Sequence, residues 1–116
     1  MNLRELVVGG NTADTLASKL RSAAAAFGAE PGDPNNSGAL AEALSRAGIY
    51  AATDAGEPAG TLDVWNTAYW ALIAALASVG AVRTHPADAQ RISHARAATA
   101  EAVTAFAGAA EAHPGA

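Results

Sequence analysis

The chain has 116 residues, 51% of them hydrophobic and only 16% charged, a net charge of −4 and no cysteine. That is enough for one domain with a single core, since a chain of this size hides roughly two thirds of its unfolded surface. The missing cysteine excludes thiol catalysis and cysteine zinc sites, and one lysine with six scattered arginines forms no basic run to follow a phosphate backbone, which argues against nucleic-acid binding.

Met1 to Val8 reads as an arm or two helical turns, with Leu3, Leu6 and Val7 on one side and Gly9-Gly10 as the breaker. The segment MNLRELVVGG carries Glu5 and no long apolar run, so no secretory signal is expected. Asn11 is a candidate cap, and Ala13, Leu16, Ala17, Leu20, Ala24 and Phe27 form the apolar face of a first helix ending at Gly28. Residues 29–37, AEPGDPNNS, are turn chemistry. Asn36 or Ser37 is expected to cap a second helix with Leu40, Ala43, Leu44 and Ala47 on one face. Gly48 followed by Ile49 fits a glycine-terminated ending in which Ile49 packs back on Leu44. Tyr50 to Thr53 form a further turn, and Asp54 to Gly60 a second loop.

Thr61 to Val82 contains both tryptophans and no charge after Asp63. Leu62, Trp65, Tyr69, Leu72, Leu76 and Val79 recur three or four residues apart, the stripe of a helix facing a partner. A second edge of Trp70, Ile73, Ala77 and Ala81 is apolar too, so the helix is expected at the centre of its neighbours. Val64 to Val82 is also uncharged over nearly the length of a membrane span, about 20 residues. Asn66, Thr67, Ser78 and Gly80 within it, and alanine in much of the rest, favour a buried helix of a soluble bundle over a span.

A short Thr84-His85-Pro86 turn leads to the last helix, with Pro86 at its first position and Asp88 in its first turn. Ile92, Ala95, Thr99, Val103, Phe106 and Ala110 mark its inner face, and 113–116 form a tail. A turn this short sets the two long helices antiparallel. The expectation is therefore an all-α fold: one domain over 1–116, a four- to five-helix bundle whose central apolar helix, about 61–82, forms a hairpin with a C-terminal helix, about 86–112. The two shorter helices and the arm over 1–10 would cover the second apolar edge.

Little in the chain signals chemistry. No phosphate loop, dinucleotide glycine fingerprint or nucleophile elbow is present. Gly9-Gly10-Asn11-Thr12 is a breaker and cap with no lysine at phosphate-site spacing. His94 has no histidine three or four residues away, and His85 with Asp88 is more simply a hinge than a metal pair. No cofactor, no metal and no enzymatic activity are expected.

Two features suggest contacts. Trp65, Asn66, Tyr69 and Trp70 form the densest aromatic and polar cluster, read first as core and second as a pocket for a small apolar ligand. Small-residue rows, above all Ala98, Ala102 and Ala105, leave flat helix surfaces suited to close packing. The small secreted helical hairpins with a central W-x-G turn are not matched, because Asn66-Thr67 follow Trp65 inside a helix. The expected function is a non-enzymatic structural or assembly subunit working by helix-face contacts, with self-association or a place in a larger particle such as a phage or secretion assembly. The alternative is an apolar-ligand-binding bundle using Trp65, Tyr69 and Trp70. The expected location is the cytoplasm, or a virion or other assembly.

Overall fold

A computed structural model describes residues 13–54 and 62–112. The expected arm over 1–10, the Asn11 cap, most of the second loop and the tail over 113–116 lie outside the described residues, as does Thr61. The fold is all-α: α1 (Ala13–Ala29), α2 (Pro34–Ile49), a π-helical turn (Tyr50–Asp54), α3 (Leu62–Thr84) and α4 (Ala89–Ala112). No strand occurs among the described residues. Each helix packs on its neighbours in sequence, and α1 closes onto α4, which makes a four-helix square with the α3–α4 hairpin as its most extensive contact.

The core is one cluster shared by all four helices. Leu16, Leu20 and Phe27 enter from α1, Leu40 and Leu44 from α2, Trp65, Leu72, Val79 and Val82 from α3, and Phe106 from α4. Alanine fills what remains: Ala47, Ala68, Ala75, Ala95 and Ala102 are each 0% exposed. Helices that meet through methyl groups can bring their backbones close, so a chain with few large side chains still reaches interior packing density. Three of the large rings gather at one end, where Tyr50, Trp65 and Phe106 contact one another in tilted or edge-to-face pairs at 5.5–6.1 Å.

Several boundaries differ from those the sequence suggests, each for an identifiable reason. The α2 cap is Asp33 rather than Asn36 or Ser37, its carboxylate accepting the Asn35 N–H at 2.8 Å while Pro34 takes the first helical position. Asn36 is instead a clasp: its side-chain amide donates to the carbonyls of Ala26 and Glu30 at 3.2 and 3.1 Å, tying the end of α1 to the start of α2. α4 starts at Ala89, not Pro86, because Asp88 accepts the Gln90 and Arg91 N–H groups at 3.0 and 3.1 Å and is itself the cap. Gly28 lies inside α1, where its carbonyl accepts from the Arg96 guanidinium of α4 at 2.6 Å. That bond gives one of the terminal carbonyls of α1 a partner.

The glycine ending of α2 does not form either. Gly48 remains helical and the chain runs on into the π turn, with the Tyr50 N–H bonding to both the Ala47 and Arg46 carbonyls. Continuing the coil puts the Tyr50 ring, 3% exposed, against Trp65 and Phe106. Ile49, expected to pack on Leu44, is consequently 62% exposed. The other described helices do not wrap α3, and the arm over 1–10, also expected to cover its second edge, lies outside the described residues. As one corner of a square α3 has two flanking neighbours, so its Trp70, Ile73 and Ala77 edge faces outward among the described residues.

Candidate functional site

α3 sorts its aromatic residues by angle. At about 100° per residue, Trp65 falls in line with Ala68, Leu72, Ala75 and Val79, all buried. Trp70 is rotated well past that line and is 61% exposed. Tyr69 lies between them, half-buried, and meets the Trp70 ring edge-to-face at 5.1 Å and 78°. The Trp70 ring is thus braced from one side while standing in solvent.

Around it the exposed part of α3 over 64–77 carries no charged side chain, and its polar residues are Asn66 and Thr67. Val64 is 39% and Ile73 36% exposed, and Asn66, Ala74 and Ala77 are exposed on the same helix. Beside this ridge, between α2 and α3, lies an open groove of about 220 Å³. Ser45, Gly48, Ile49 and Ala52 line it from the α2 side, and Tyr69, Ile73 and Leu76 from α3. None of these side chains carries a charge at neutral pH. The nearest ion pair on α2, Arg46 with Glu42 at 3.0 Å, is internally neutral.

The sequence-suggested contact residues therefore divide. Trp65 is 1% exposed in the aromatic core, and its indole N–H meets no acceptor among the described residues. Asn66 and Trp70 are exposed and Tyr69 bridges inside and outside. On α4, Ala102 is 0% exposed, while Ala98 and Ala105 are half-buried against the core. That row serves contacts within the bundle. Ile49 joins the surface although the sequence placed it inside; the buried Tyr50 beside it was the available signal, because it favours an unbroken coil.

Two further recesses include charged side chains in their lining. One of about 610 Å³ runs between α1 and α2, past Lys19, Glu42 and Arg46. The other, of about 380 Å³, lies at the start of α4 beside Ser78, Asp88, Arg91 and His94. There Asp88 is already engaged by two backbone N–H groups and by the Arg91 guanidinium at 2.6 Å. The Arg91 N–H, the Arg91 charge and the Gln90 N–H outweigh partial desolvation and hold its carboxyl below the usual carboxylate range. His94 is exposed nearby, and no group of three potential metal ligands occurs among the described residues.

α3 is also the one helix among the described residues long and apolar enough, by length and composition, to cross a membrane, over Val64–Thr84. In this fold its Trp65–Val82 stripe forms the bundle core. Compared with protein-family models, curated proteins and solved structures, the chain matches none.

Proposed function

We propose that this chain is a non-enzymatic structural or assembly subunit whose working surface is the outer face of α3 with the adjoining α2–α3 groove. The observation that carries the reading is Trp70, 61% exposed on α3 next to Ile73, with Ile49, 62% exposed, across the adjoining groove. Large exposed apolar side chains scattered singly need no explanation, whereas a contiguous set of them is characteristic of contact surfaces. Tryptophan is also the residue type most enriched among energetically dominant interface positions. Such a subunit fits a homo-oligomer or a component of a larger particle, as in phage or secretion assemblies.

Site-specific photo-cross-linking tests this reading. With benzoylphenylalanine at position 70 in cells expressing the chain, irradiation is expected to trap a defined protein adduct. The same label at exposed Ala100, on α4, is expected to trap none. Labelling at position 70 that yields no protein adduct would count against the proposal.

A further inference from the structure

We infer that the partner of this face is a second copy of the same chain, paired about a two-fold axis so that each Trp70 enters the other copy's α2–α3 groove. This pairing rests on the functional reading above and names its partner.

Shape points to the pairing first. Knob and recess lie side by side on one face: Trp70 stands beside Ile73, which lines the groove together with Gly48 and Tyr69. A cavity of about 150 Å³ accommodates benzene, so about 220 Å³ is of the right order for the bicyclic indole. When both features occupy the same patch, one two-fold rotation satisfies both copies at once and closes the assembly. Bracing by Tyr69 limits the side-chain freedom that Trp70 would lose on docking.

The recess is also kept open by choice of residue. Gly48 is helical, and a Cβ added there would come no closer than 4.0 Å to Ile73 Cδ1. The fold thus has room for a methyl group at this buried position, and its absence leaves the groove open. Glycine in a helix interior is less stable than alanine, so the bundle alone gives no reason for it.

Charge selects among partners. Two copies each carrying −4 repel through any surface with a net charge, because a two-fold axis sets a patch against its own kind. Among the described residues this face contains no charged group, and the flanking Arg46–Glu42 pair cancels. An acidic or basic partner would find nothing here to pair with. Three large side chains, Trp70, Ile73 and Ile49, are modest against the about 800 Å² per partner of a standard interface, so dissociation on the order of 10–100 µM is expected.

Sedimentation velocity of the purified chain from about 1 to about 500 µM spans that range. The expected result is a reversible monomer–dimer transition. Trp70→Ala, which removes the knob, and Gly48→Leu, which fills the recess, should each weaken it about 10-fold or more while leaving the far-UV circular dichroism unchanged. In Trp65→Phe, where Trp70 is the sole indole, emission should shift to the blue through the same concentration range. A chain that stays monomeric throughout, a dimer that survives either substitution, or an unshifted Trp70 emission overturns the pairing. If the monomer nonetheless cross-links through position 70 to a different protein, self-pairing falls and the assembly reading stands. If position 70 is protected only by neutral lipid vesicles, both fall.

Discussion

Trp65 and Trp70 lie five residues apart on α3 and occupy opposite environments, 1% and 61% exposed respectively. Their substitutions should therefore separate. Trp65→Ala empties the meeting point of Tyr50 and Phe106 and is expected to cost about 3–5 kcal/mol of stability. Trp70→Ala, at low protein concentration, should change stability by less than about 0.5 kcal/mol. Urea titration of both variants at about 1 µM checks this, and similar midpoints would contradict the placement of the two rings.

Thr99 is 3% exposed and its hydroxyl has no hydrogen-bond partner among the described residues. A buried hydroxyl without a partner is a net cost, and valine has nearly the same shape. Thr99→Val should therefore raise stability by about 1 kcal/mol, read as a higher thermal midpoint. A lower midpoint would mean that the hydroxyl is satisfied in solution.

The Arg96 guanidinium caps α1 from α4 through the Gly28 carbonyl at 2.6 Å. A cation at a helix C-terminus stabilises it by about 0.3–1 kcal/mol, less at high salt. Arg96→Ala should lose that amount and speed amide exchange in the last turn of α1. Exchange accelerated equally in all helices would show that the contact is not local.

Asp88 sets the acid response of the α3–α4 turn. Its folded carboxyl lies below its unfolded value because the Arg91 N–H, the Arg91 charge and the Gln90 N–H favour the anion. The contribution is thus fully present above the unfolded value of about 4 and is lost as pH falls through the lower folded one. An asparagine at this position would still cap the helix but would not titrate. The drop in denaturation midpoint between about pH 5 and about pH 3 should be smaller in Asp88→Asn than in the wild type; parallel curves would dissociate Asp88 from the effect.

The helical fold and its hairpin are readable from apolar spacing alone, yet the axis of the core is not. Tyr69 and Leu76 drew the inferred stripe of α3 toward themselves because they are large. The buried line instead runs through Ala68 and Ala75, and Tyr69 and Leu76 sit at its margin. Hydrophobic patterning weights residues by size, while packing weights them by how closely two backbones must approach. The caps were legible in principle: Asp33-Pro34 is an acidic cap followed by a first-position proline, a stronger signal than Ser37 farther along. Which edge of α3 stays open was not legible, since both are apolar and only the number of surrounding helices decides. The groove depends likewise on Tyr50, whose burial carries α2 past Gly48 and turns Ile49 outward.

Five alanines with no exposed surface, one from α2 and two from each helix of the hairpin, carry a consequence for how this sequence can vary. Where two rods touch through single methyls, even one added carbon must push them apart, at about 1–3 kcal/mol each time. Any residue larger than alanine at Ala68, Ala75, Ala95 or Ala102 therefore carries that cost. The outward side of α3 has no such ceiling, so its exposed positions can grow without parting the helices.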